Sequence, residues 1–123
     1  MSLVRSENTK PELAVRRWLH ARGYRYRLHA AKLPGRPDLV VPTRRKVIFV
    51  HGCFWHHHND CRLATMPKSR VEFWRPKLEA NAARDIKKLE ALVDAGWAYL
   101  VVWQCELRDM ESTGKRMVQF LDN

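Results

Sequence analysis

Three cysteines place the heaviest constraint on how this chain can fold. Cys53 and Cys61 bracket His58 as C-x4-H-x2-C, while Cys105 lies far along the chain, after the apolar run Tyr99-Leu-Val-Val-Trp-Gln. Three thiols cannot all pair as disulfides. Three thiolates and one imidazole do make a tetrahedral set for Zn(II), which takes soft sulfur together with nitrogen. If Cys53, His58, Cys61 and Cys105 close on one ion, the loop after one strand is clipped to the end of a later one. Metal binding is then also folding energy.

The same stretch, His51-Gly-Cys-Phe-Trp-His-His-His-Asn-Asp-Cys61, carries more histidine than a zinc site uses. His51 ends Lys46-Val-Ile-Phe-Val, a strand by its β-branched and aromatic content. Asp38 follows a proline-rich turn and opens a second apolar run, Leu39-Val-Val. If those strands pair, an acid and several imidazoles converge. A Mg(II)-dependent phosphodiesterase needs that combination, with a carboxylate to hold a hard cation and a neighbouring base to move protons. Taken singly, Pro-Asp is an ordinary turn, a strand-end imidazole is an ordinary hydrogen-bonding group, and a histidine run can lie in solvent. Their coincidence beside a zinc loop in a basic chain favours a site.

These residues resemble the very-short-patch repair (Vsr) endonucleases of the restriction-endonuclease-like superfamily. The resemblance is carried by Thr9-Lys-Pro-Glu-Leu13, Gly35-Arg-Pro-Asp-Leu39, Val47-Ile-Phe-Val-His-Gly-Cys-Phe-Trp-His56, Pro67-Lys-Ser69, Glu72-Phe-Trp74, Asn81 to Asp85, and Gly96-Trp97 with Val101-Val-Trp-Gln-Cys105. It runs over nearly the whole chain, and Gly-Cys-Phe-Trp-His is its most specific part. It implies a nick in one strand of double-stranded DNA, 5′ to the thymine of a T·G mismatch left by deamination of 5-methylcytosine. The products would carry 3′-hydroxyl and 5′-phosphate ends. Asp38 would hold Mg(II), with the backbone carbonyl of Val50 in the same cluster. His51 would position water and phosphate, His56 would be the general base, and Glu12 an accessory acid. Where the superfamily has Glu-x-Lys, this chain has Phe49-Val50-His51, so histidines replace the second acid and the lysine.

Cys53, His58, Cys61 and Cys105 match the family's zinc positions, with His57 or Asp60 able to replace His58. Phe54 and Trp55, joined by Trp74, would form a wedge entering the duplex where unstacking costs least, at a mismatch. For Phe54 or Trp55 alone, core burial is the ordinary fate. Glu12 has a second reading, because Thr9-Lys-Pro-Glu12 is also a capping box.

Lys plus Arg number 23 against 13 acids, for a net charge of +10. A polyanion is the natural partner, although ribosome or membrane binding would show the same bulk charge. No apolar run is long enough to span a bilayer, and Met1-Ser-Leu-Val-Arg-Ser-Glu lacks the apolar core of a secretory signal. The expectation is a cytoplasmic monomer acting at the nucleoid, with mismatch-repair proteins as possible partners. Two other readings stay open: a zinc-stabilised module that binds distorted DNA without cutting it, and a zinc hydrolase with an open coordination position.

The expected fold is a single α/β domain over residues 1–123, a central mixed sheet flanked by helices, with a structural zinc site. The elements expected are a helix over 9–22, strands over 24–29, 37–41 and 46–51, helical structure over 69–94, a strand over 97–103 and a helix over 111–121. Ser69-Arg-Val-Glu72 should cap the long helical stretch, and Pro76 should split it. Leu78, Ala82, Ile86, Leu89 and Val93 should form its buried face. The run Trp97 to Trp103, apolar on both faces, should be a central strand.

Overall fold

The computed structural model describes residues 9–53, 56, 61 and 70–123. Helix α1 spans Lys10–Ala21, and Thr9 caps it, its side-chain oxygen accepting the Glu12 N–H at 3.3 Å. Strands β1 (Arg27–Leu28), β2 (Leu39–Val41) and β3 (Lys46–His51) follow, then helix α2 (Val71–Asp94), strand β4 (Ala98–Trp103) and helix α3 (Met110–Asp122). Among the described residues the strands make one sheet in the order β1-β2-β3-β4. The pairs β1·β2 and β2·β3 are antiparallel, and β3·β4 is parallel. The α/β class and the mixed sheet are thus as expected.

Period-two alternation divides the core between the two faces of the sheet. Leu39, Val41, Ile48 and Val50 pack with Val15 and Leu19 of α1 and Met117 and Leu121 of α3. Val40, Val47 and Phe49 pack with Leu92 of α2 on the other face. Helices therefore cover both faces, which is why β3 can be apolar at every position between its ends. Between α1 and α3 the approach is close enough to require glycine. A Cβ on Gly114 would lie 2.2 Å from a ring carbon of Trp18.

Three expectations are corrected. First, β4 is an end strand of the described sheet rather than a central one, and Ala98 and Tyr99 are exposed. Its apolar character reports the helices over the sheet and not a place in the strand order. Second, α2 runs unbroken through Pro76. The proline removes an N–H that would pair with the carbonyl of Glu72, in the exposed first turn, where water can take its place. The N-cap is Arg70, in the left-handed region and without a side-chain cap; Ser69 lies outside the described residues. Third, the inward stripe of α2 is Leu78, Ala82, Asp85, Leu89 and Leu92, whereas Ile86 and Val93 are 59% and 54% exposed. The helix is turned so that an aspartate faces inward where an isoleucine was expected.

The strand directions decide where chemistry can occur. The end of β1, the start of β2, and the ends of β3 and β4 all lie at one edge of the sheet. His29, Asp38 and His51 sit immediately beyond or at three of those positions, and Cys105 follows the fourth after Gln104. Among the described residues no helix is long and apolar enough to cross a membrane.

Candidate active site and metal centre

Asp38 is held at that edge by the backbone of the neighbouring strand, its Oδ2 accepting the Val50 N–H at 2.7 Å. The His29 N–H donates to the Asp38 carbonyl at 3.1 Å, with His29 in the left-handed region at φ 50°. Glu12 projects from α1 into the same place and is only 1% exposed. Its Oε2 receives Arg16 at 3.2 Å and His29 Nε2 at 2.8 Å. One ligand atom each from Glu12, His29 and Asp38 lies within 4.8 Å of the others. The cap of α1 is made by Thr9, while the Glu12 carboxylate is turned to this cluster.

Burial raises the Asp38 carboxyl to about 7, and the adjacent Glu12 adds to the shift, against the Val50 N–H and the His29 charge that oppose it. Two acids packed this closely out of water are poorly matched to each other. A divalent cation between them would relieve both costs at once, so the donor set fits a hard cation.

On the α2 side of Val50, the His51 and His56 rings stack in parallel, with centroids 3.8 Å apart and planes 4° apart. Trp103, register partner of His51 on β4, stands edge-on to the His51 ring at 5.2 Å. Burial lowers His51 to about 3, with the charge of His56 as a second cause, so its imidazole is neutral. Its Nδ1 is buried with no hydrogen-bond partner among the described residues. His56 places Nδ1 2.5 Å from Asp85 Oδ2. An ionised carboxylate only accepts, so Nδ1 carries the hydrogen and Nε2 is left as the basic nitrogen. These three residues also lie within 4.8 Å of one another through their ligand atoms. Parallel stacking, however, puts the in-plane lone pairs of the two rings in separate, parallel planes. They suit two separate hydrogen-bonding tasks better than one shared ion.

The three cysteines gather at the same edge. Cys53, Cys61 and Cys105 present sulfurs within 4.8 Å of one another. The Cys105 N–H donates to Cys53 Sγ at 3.4 Å, and the Cys53 N–H to Gln104 Oε1 at 3.4 Å. Burial pushes the Cys53 thiol up to about 12 and raises Cys105 as well. Three clustered thiols, Cys53 buried and Cys61 and Cys105 half-buried, with a backbone N–H on Cys53 Sγ, fit a thiophilic cation, which would hold them deprotonated. His58, with its alternatives His57 and Asp60, lies outside the described residues, as do Phe54 and Trp55. Trp74 is described, half-buried in the first turn of α2, edge-on to Phe73 at 5.1 Å. Phe73 is 48% exposed and has Arg70 4.7 Å and Lys77 5.6 Å from its ring centre.

The family model described as DNA mismatch endonuclease Vsr matches residues 1–63. The DNA mismatch endonuclease Vsr of Escherichia coli is 43% identical over 111 residues, covering 90% of this chain and 70% of that protein. The chain belongs to the Vsr DNA mismatch endonuclease family. The type II nicking enzyme V.XorIIP of Xanthomonas oryzae pv. oryzae is 57% identical over 122 residues, covering 99% of this chain and 89% of the relative. The type II nicking enzyme V.NmeAIP of Neisseria meningitidis is 39% identical, covering 95% and 83%. Membership of the Vsr family makes the chain an endonuclease.

Of the residues expected from sequence, Glu12 and Asp38 meet in one group, His51 and His56 in a second, and the three cysteines in a third. Val50 joins the first two, since its N–H is bound by Asp38 and its chain neighbour is His51. Sequence reasoning missed His29 and Asp85. His29 ends the segment expected as a strand over 24–29, so the criterion that singled out His51 would have found it. Asp85 belonged to a Vsr-like stretch but had no role assigned. Its signal is an acid seven residues after Leu78 and four before Leu89, on the helix face that those leucines bury.

Proposed function

We propose that this chain nicks one strand of duplex DNA 5′ to the thymine of a T·G mismatch, in the repair of deaminated 5-methylcytosine. The observation that carries the reading is the meeting, across Val50, of a buried carboxylate pair, Asp38 with Glu12, and a general-base dyad, His56 with Asp85. Mg(II) is the proposed catalytic cation. Asp38 and the Val50 carbonyl would hold it, with Glu12 beside them. When bound it supplies charge stabilisation to the phosphate under attack.

The remaining steps belong to the side chains. His56 Nε2 takes a proton from the attacking water, and Asp85 stabilises the imidazolium that forms. Neutral His51, kept so by burial, can donate a hydrogen bond to phosphate oxygen without adding a full charge. The proposed second ion is structural Zn(II) on Cys53, Cys61 and Cys105, with His58 as fourth ligand. Phe54 and Trp55, on the loop that begins at Cys53, would be its cargo, a rigid wedge for the mismatch with Trp74 nearby. The net charge of +10 supports a phosphate backbone as partner. The proposed setting is a cytoplasmic monomer acting at the nucleoid, with mismatch-repair proteins as possible partners.

The test is a nicking assay with Mg(II) on T·G and fully paired duplexes, using the parent and Asp38→Ala. The parent should nick the T·G duplex, and Asp38→Ala should bind it without nicking. If both proteins bind mismatched DNA and neither cuts, the chain is a non-cleaving module. In that reading the His56–Asp85 dyad has no task.

A further inference from the structure

The carboxylate group at Asp38 contains a member that a magnesium site does not require. Mg(II) is hard, prefers oxygen in near-ideal octahedral geometry, and gains little from imidazole. Yet His29 Nε2 lies 2.8 Å from Glu12 Oε2, and its ligand atom falls within 4.8 Å of those of both Glu12 and Asp38. The ring is directed there by the chain itself. His29 follows β1, takes the left-handed conformation at φ 50°, and is pinned by its N–H to the Asp38 carbonyl. A non-glycine residue adopts that conformation at some cost, and here the adopted turn sets an imidazole against two acids. Glu12 is fixed as well, by burial and by Arg16 on the same oxygen that His29 contacts.

Resting on the cation site proposed above, we infer that His29 is a side-chain ligand of that cation, and that the site takes Mn(II) in preference to Mg(II). Two carboxylates and one imidazole form a mixed oxygen and nitrogen donor set. Mn(II) accepts such a set at little geometric cost, because it is larger and softer than Mg(II). Ligation uses the Nε2 lone pair, so the proton that Nε2 shares with Glu12 is released to solvent on metal binding and the remaining ring hydrogen is on Nδ1. Glu12 keeps Arg16 as a partner when His29 turns its nitrogen to the ion. The parallel His51 and His56 rings stay outside this shell, committed to water and phosphate.

The experiment measures binding of each metal alone to the full chain, with no DNA present. Mn(II) is followed by loss of the free-ion electron paramagnetic resonance signal, and Mg(II) by its competition. The parent should bind Mn(II) about tenfold or more tightly than Mg(II), and His29→Gln should narrow that ratio by about tenfold with little change for Mg(II). Glutamine keeps a donor for Glu12, so the acid pair stays in place. An unchanged ratio in His29→Gln overturns the inference. Asp38→Asn separates this from the reading beneath it. If both ions still bind to Asp38→Asn, the proposed catalytic cation site is itself wrong. If Asp38→Asn loses both ions and His29→Gln alters neither, only the assignment of His29 fails. A second readout needs no variant to fold: bound Mn(II) in the parent should show coupling to a directly coordinated nitrogen, and its absence overturns the inference.

Discussion

Asp85, on the inward face of α2, lies 2.5 Å from His56 Nδ1, and His56 in turn lies flat against His51. A helix far along the chain therefore orients the imidazole proposed as the base. Replacing Asp85 by asparagine keeps the shape but lets the amide donate to Nδ1, which puts the hydrogen on Nε2 and removes the base. Asp85→Asn should lower kcat for nicking by about 10²-fold to 10⁴-fold with KM little changed. Single-turnover nicking alongside DNA affinity checks this, and loss of affinity without loss of rate would contradict it.

Asp38 and His51 pull the stability of the metal-free protein in opposite directions as pH changes. Asp38 rises from 3.8 to about 7 on folding, so the folded state holds a proton that the unfolded chain has released. Its contribution is full at low pH and is lost as pH rises through 7. His51 falls from 6.5 to about 3, so the unfolded chain gains a proton that the folded one refuses. Its contribution is full above 6.5 and is lost as pH falls toward 3. Each slope reaches at most about 1.4 kcal/mol per pH unit, and across their common window they oppose each other. Asp38→Asn should therefore make stability rise with pH between about 4 and 6.5, and His51→Gln should make it fall. Urea midpoints measured through that window decide the matter; identical slopes in both variants would refute it.

The three-cysteine cluster predicts that metal and fold are lost together. Cys105→Ser should remove zinc from the purified protein and lower its melting temperature sharply, because the tie between the β3 and β4 ends is cut. Elemental analysis and thermal denaturation test this. A variant that keeps zinc and melts normally would show an open, non-structural site.

Gly114 is inside α3, where alanine would ordinarily favour the helix by about 1 kcal/mol. Here the added methyl would meet Trp18 at 2.2 Å, and α1 and α3 would have to separate. Gly114→Ala should be net destabilising, by about 1–3 kcal/mol. A Gly114→Ala, Trp18→Leu pair should recover part of the loss, which denaturant titration would show.

The sequence by itself determined the class of fold and most of the chemical inventory. Local signals suffice for these: β-branched runs make β2 and β3, Thr9 starts α1, and Gly-Cys-Phe-Trp-His marks the family. If Cys53, Cys61 and Cys105 share one ion, two strand ends have to meet, and the three sulfurs do lie together. Tertiary structure decided which face α2 turns inward and which groups become partners. Apolar periodicity cannot predict that Asp85 goes in and Ile86 goes out, because the deciding contact is an imidazole 29 residues earlier. His29 likewise becomes part of a site only when β1 pairs with β2 and α1 lays Glu12 across them. Pairings between distant residues depend on strand order and helix rotation, and neither is written in any short stretch of chain.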